Sequence, residues 1–156
     1  MYTGVHYQKL NKNNFKLLKK SIKNLDSKTI KTRYGQMLNY NKIIESIEAS
    51  QITICIFKHK NIAGFGQVFK LPKQKYPEIG YIIFKKYRKK GYGYLLTKKI
   101  LSYCKAHKIS LKGEAELKNT PSVGLLKKVG TCYPPLKAYN SNKYQPNTYV
   151  CYWNFR

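Results

Sequence analysis

The stretch Arg88-Lys89-Lys90-Gly91-Tyr92-Gly93 constrains this chain more than any other. It joins an apolar run, Glu78 to Phe84, to the clearest amphipathic segment, Gly91 to Lys108. A strand that enters a helix through closely spaced glycines lets the backbone approach a ligand, with several N–H groups turned inward. The helix N-terminus adds partial positive charge at the same place. Two lysines and an arginine strengthen the attraction, so the junction calls for a pyrophosphate or another polyanion. It is not a Walker A loop, because no Gly-Lys-Ser/Thr follows the spacer. Nor is it a dinucleotide fingerprint, whose third glycine is Leu96 here.

Around this junction the periodicity alternates between helix and strand. Val5 to Leu10 reads as a first strand. Asn13 or Asn14 caps a helix whose apolar residues, Phe15, Leu18, Ile22 and Leu25, recur at steps of three and four. A short helix from about Asn41 to Ala49 buries Ile43, Ile44 and Ile47. Ile52 to Phe57 and Ile62 to Phe69 form a hairpin about the turn Lys58 to Asn61. In the long helix, Leu96, Ile100, Tyr103 and His107 share a face. Ser110 to Leu117 is a strand, Asn119 to Val129 a helix stopped by Gly130, and Thr148 to Phe155 a last strand. The expected class is α/β (α+β), built as one domain over residues 1–156.

Charge narrows the partners. Thirty-one Lys plus Arg face six Asp plus Glu, a formal net charge of +25. Such a field attracts phosphate cofactors, nucleotides or RNA. Nearly all the cations are Lys, and Asn, Ile and Tyr are abundant too, a profile that AT-rich coding also produces. No apolar stretch is long enough to span a bilayer and the first residues hold no apolar signal core, which points to a cytoplasmic protein. Cys55, Cys104, Cys132 and Cys151 are widely spaced and His6, His59 and His107 scattered, so no metal site is expected and the four thiols read as reduced.

Residues 78–130 resemble the core of the GNAT acetyltransferases. The family pattern Q/R-x-x-G-x-G/A matches Arg88, Gly91 and Gly93, after Glu78-Ile79-Gly80-Tyr81-Ile82-Ile83 as the fourth strand. Asn119-Thr120-Pro121-Ser122 matches an N-x-x-S element, and Leu125-Leu126-Lys127-Lys128-Val129-Gly130 resembles the helix end that follows it. The resemblance is closest to the subgroup containing the ribosomal-protein alanine acetyltransferases. It implies a GNAT-like domain with a mixed, mostly antiparallel sheet flanked by about four helices. It also implies transfer of an acetyl group from acetyl-CoA to a primary amine by direct attack in a ternary complex. The pantetheine arm would lie between splayed strands Glu78–Phe84 and Ser110–Leu117, paired to backbone near Ile82, Ile83 and Phe84. The loop Arg88, Lys89, Lys90, Gly91, Tyr92 and Gly93 would hold the pyrophosphate. Asn119 would bind the arm or orient the acetyl group, and Ser122 would protonate the CoA thiolate.

A base must take a proton from the incoming ammonium. The acids are Asp26, Glu45, Glu48, Glu78, Glu114 and Glu116. Glu78 occupies the position where several family members keep their base, and Glu116 is the next candidate. The chain departs from the family at Leu126, where many members carry a tyrosine acid, and at Thr131, where an aromatic is usual. That leaves Ser122 or another tyrosine as the acid. Tyr81, Tyr92, Tyr133 and Tyr139 are candidates for lining the acceptor pocket. The positive field fits a phosphate-bearing acceptor, and both monomer and homodimer are compatible with the family. Two other functions remain open: a non-catalytic basic module that binds nucleic acid through lysines and stacked tyrosines, and a GNAT fold that binds acetyl-CoA without turnover.

Overall fold

The computed structural model describes residues 3–25, 39–70, 74–130, 132–133 and 148–155. Asp26, Thr131 and Tyr139, singled out above, lie outside them, as does the side chain of Tyr133. The chain runs β1 (Val5–Lys9), α1 (Lys12–Lys23), α2 (Tyr40–Glu48), β2 (Ile52–Lys58), β3 (Asn61–Phe69), β4 (Glu78–Ile83), a 3-10 turn (Lys85–Tyr87), α3 (Tyr92–Ala106), β5 (Leu111–Glu116), α4 (Thr120–Val129), β6 (Cys132–Tyr133) and β7 (Thr148–Trp153). The strands form one sheet in the order β1-β2-β3-β4-β5-β7-β6. Every neighbouring pair is antiparallel except β4 with β5. Among the described residues the chain forms the expected mixed sheet, with four helices about it.

Both faces of the sheet are covered, so the central strands are apolar on both sides rather than alternating with polar residues. Ile52, Ile54 and Ile56 of β2 meet Leu96, Ile100 and Cys104 of α3 in one core. Cys55 and Phe57, pointing the other way, meet Leu18 and Ile22 of α1 and Ile43 and Ile47 of α2. Ile79 and Ile82 divide β4 between the same two layers.

Local signals set the helix starts. Asn11, not Asn13 or Asn14, caps α1: its Oδ1 accepts from the Asn13 and Asn14 amides at 3.0 Å each. Asn14 completes the box by accepting from the Asn11 amide at 2.8 Å, and its amide group donates to the Lys9 carbonyl at 3.0 Å. Asn11 stands so close to the two expected candidates that residue type alone does not single it out. In α3 the buried positions are Tyr92, Leu96, Thr97, Ile100, Leu101 and Cys104. His107 is exposed at the C-cap and stacks on half-buried Tyr103.

The cysteines divide. Cys55 and Cys104 are free and buried; burial pushes the first thiol up to about 12 and the second to about 11. Cys151 is disulfide-bonded, which corrects the expectation of four reduced thiols. The antiparallel register of β6 on β7 sets residues 132 and 151 directly opposite each other, a juxtaposition their separation in sequence conceals. Among the described residues no helix is long and apolar enough to cross a membrane.

Candidate active site

The site begins where the sheet comes apart. β4 and β5 pair at only two positions, Glu78 with Lys112 and Ile79 with Gly113. Beyond them Gly80–Ile83 and Glu114–Glu116 have no register with one another, although β4 stays paired to β3 and β5 to β7 along their lengths. A cavity of about 750 Å³ fills the divide and runs beneath the α3 N-terminus to the start of α4.

One end of the cavity is the glycine junction. Arg88, Lys89, Gly91, Tyr92 and Gly93 all line it. Gly91 is the N-cap of α3 with φ +79, and Lys89 is also left-handed at φ 58. A left-handed N-cap favours glycine, and without a side chain it leaves the first-turn amides to a ligand. Gly93 is needed for space: a Cβ there would meet Leu125 at 3.1 Å and the Tyr81 ring at 3.4 Å. Arg88 Nε donates to the Ile83 carbonyl at 2.9 Å, tying the end of β4 to the turn. Lys90 lies outside the lining, its ammonium bonded to the Lys86 carbonyl at 3.1 Å.

In the middle, Ile79–Ile83 lie on one side and Glu114, Ala115 and Glu116 on the other. Of the β4 backbone groups expected to face a ligand, the Ile83 carbonyl is engaged by Arg88 and the Phe84 amide by the Ala63 carbonyl at 3.0 Å. Phe84 does not line the cavity and packs toward Phe65. Thr97, which sequence reading missed, does line it. The residue is 1% exposed, and its hydroxyl has no partner among the described residues. A buried hydroxyl left unpaired costs free energy, which a ligand atom would recover.

At the far end Asn119 caps α4, accepting from the Ser122 amide at 3.4 Å. Ser122 Oγ lies 3.0 Å from the Tyr81 hydroxyl. Burial raises the Tyr81 phenol above its ordinary value, partly offset by that hydrogen bond, so it stays protonated at neutral pH. Leu126 is 3% exposed and packs toward Gly113 and the core.

Strand alternation sorts the polar groups onto opposite faces of the divide. Ile79, Tyr81 and Ile83 face the layer of α3 and α4, whereas Ile82 faces that of α1 and α2. By the same alternation Lys112, Glu114 and Glu116 share the face opposite Leu111 and Ala115. Three of the chain's six acids therefore gather here. Lys112 bonds Glu114 and lies 4.0 Å from Glu78, all three side chains being buried. Glu78 sits at the pairing point, outside the cavity lining, and also accepts from Gln74 at 3.4 Å. Glu114 and Glu116 line the cavity, and Glu116 pairs with the exposed Lys118 at 2.9 Å. No group of His, Cys, Asp or Glu among the described residues is placed to hold a metal ion.

The match to the model of the acetyltransferase (GNAT) family extends over residues 21–131, from α1 through the site to the end of α4. The chain belongs to the GNAT family. Its fold agrees with solved members at low sequence identity. It superimposes on a GNAT acetyltransferase from Streptococcus pneumoniae with a TM-score of 0.66 at 16% identity, covering 97% of this chain and 99% of the other. Ard1 from Thermoplasma volcanium gives 0.66 at 17%, covering 99% of each chain. RimL, a ribosomal L7/L12 alpha-N-protein acetyltransferase solved in complex with coenzyme A, gives 0.70 at 12%, covering 97% of this chain and 94% of that one. No curated protein sequence matches the chain. GNAT proteins use acetyl-CoA, and the residues present fit it: a basic, glycine-lined helix start for the pyrophosphate, a divided sheet for the arm and an unpaired buried hydroxyl beside it.

Proposed function

We propose that this GNAT protein transfers the acetyl group of acetyl-CoA to a primary amine by direct attack in a ternary complex. The observation that carries the reading is the divide between β4 and β5, which opens from the Gly91 junction to the Asn119–Ser122 end without interruption. Arg88, Lys89, Gly91, Tyr92 and Gly93 hold the pyrophosphate, with Lys90 adding charge from outside. The β4 backbone around Ile82 and Ile83 pairs with the pantetheine arm as a strand would, with Phe84 behind it, packed toward Phe65. Asn119 orients the arm, and Ser122 stands where the thiolate leaves.

The amine arrives as an ammonium ion and gives a proton to a carboxylate. Glu116 is best placed for this, because it lines the cavity and its ion-pair partner is an exposed lysine. Glu78 acts from behind, through water or by holding Lys112 away from Glu116. Glu114 and Glu116 favour an acceptor whose reactive end is cationic. Any phosphate on the acceptor would rest on the outer basic surface instead.

Thermal unfolding with acetyl-CoA tests the reading. At a hundredfold its Kd a ligand stabilises the folded chain by about 2.7 kcal/mol. Wild type should gain this, whereas Gly91→Asp, which adds a negative charge and a Cβ at φ +79, should not. A folded wild type indifferent to acetyl-CoA would sink the proposal.

A further inference from the structure

Where many GNAT enzymes place a tyrosine acid, this chain has Leu126, an apolar residue of the cavity lining that packs beside Gly113. The geometry points to a replacement: Tyr81, a positioning residue on β4, supplies the departing CoA thiolate with its proton through the hydroxyl of Ser122. The inference rests on the acetyl-transfer reading and adds to it the origin of the proton.

Three observations carry it. Tyr81 and Ser122, 41 positions apart, come within 3.0 Å on the wall of the cavity. The Tyr81 ring packs beside Gly93 at the α3 start, within contact distance of where a Cβ would stand. Finally, Tyr81 faces the α3 and α4 layer, while Glu114 and Glu116 face the other way. Proton removal and proton delivery are thus separated by the strands, with the thioester between them. A serine hydroxyl is by itself a poor acid. Linked to a phenol at hydrogen-bond distance, it can donate and be refilled in one motion.

The step balances. The amine nitrogen bonds to the acetyl carbon, the tetrahedral intermediate collapses, and the C–S bond breaks with its electron pair on sulfur. Ser122 gives its proton to sulfur as Tyr81 gives its own to Ser122. Solvent then reprotonates the Tyr81 phenolate. The ammonium loses two protons in all, one matched by the proton on the new thiol and one released to water.

The test needs no acceptor amine. Binding of CoA and of desulfo-CoA, which lacks the sulfur, is measured by calorimetry at pH 7 and pH 9. A hydrogen-bond donor at the sulfur favours thiolate over thiol. Wild type should therefore bind CoA about tenfold more tightly than desulfo-CoA at pH 9, and less so at pH 7. Ser122→Ala should erase that advantage and Tyr81→Phe, which leaves Ser122 without its own donor, should cut it severalfold, both with desulfo-CoA binding unchanged, an effect that mere loss of packing would not produce. If Tyr81→Phe keeps the advantage, the relay is overturned while the cofactor site stands. Should neither ligand bind wild type, the acetyl-CoA reading fails and the relay with it. Should Tyr81→Phe not fold, 3-fluorotyrosine placed at position 81 decides: its more acidic phenol should enlarge the advantage, and an unchanged advantage rejects the relay.

Discussion

The two faces of the β4–β5 divide are built on opposite principles. On one, ionised groups are crowded and paired: Glu78, Lys112 and Glu114 form a buried cluster with Glu116 beyond it. On the other, neutral hydroxyls meet in an otherwise apolar wall: Tyr81 with Ser122, and Thr97 without a partner among the described residues. Buried charge is expensive and persists only when compensated, so the first face is rigid and intolerant of a lost partner. Neutral hydroxyls are cheaper to bury and can exchange roles as donor and acceptor, so the second suits a proton in transit. A reaction that removes a proton at nitrogen and supplies one at sulfur needs both kinds of surface.

The contrast is broken most severely at Lys112. Lys112→Met takes the cation away from two buried carboxylates, Glu78 and Glu114, and is expected to cost about 3–5 kcal/mol of stability, read from the urea midpoint. A cost below about 1 kcal/mol would mean that the cluster is wetter than its burial indicates. Next comes Glu116→Gln. With Glu116 as the base, turnover of a responsive amine should fall by about a hundredfold or more, with acetyl-CoA affinity unchanged. If Glu78→Gln lowers turnover further than Glu116→Gln at equal stability, the base lies at the pairing point instead. The smallest effect is expected at Asn119→Ala, which removes the α4 cap and should cost about 1 kcal/mol, with acetyl-CoA binding weakened as well. Loss of stability with binding intact would confine Asn119 to capping.

The sequence carried the framework because its signals are local. Strand-then-glycine at residues 78–93 and Asn119 before Thr120-Pro121-Ser122 report on backbone conformation within a few residues. What it withheld depends on register. No periodicity could say that β4 and β5 pair at just two positions, nor that residues 132 and 151 stand opposite. Glu78 stood at the position where several family members keep their base, but only the alignment with Lys112 shows which lysine lies beside it. The meeting of Tyr81 and Ser122 is equally non-local: fifteen tyrosines compete for any role, and only the packing of β4 against α4 selects one. Thr97 carried no signal at all, since threonine on a helix is ordinary until the atoms around it are counted.

The short β4–β5 pairing also bears on how long the protein lasts. Two registered positions and the Lys112–Glu78 pair join the half of the sheet ending at β4 to the half beginning at β5, and further cohesion comes from α3, α4 and whatever fills the divide. A ligand that binds only the joined form adds stability in proportion to the logarithm of its concentration above Kd. Degradation in a cell follows the small population that opens. On the proposed reading, abundance of the enzyme rises and falls with the supply of its acetyl donor, so that a cell short of acetyl-CoA would also come to hold less of the protein that consumes it.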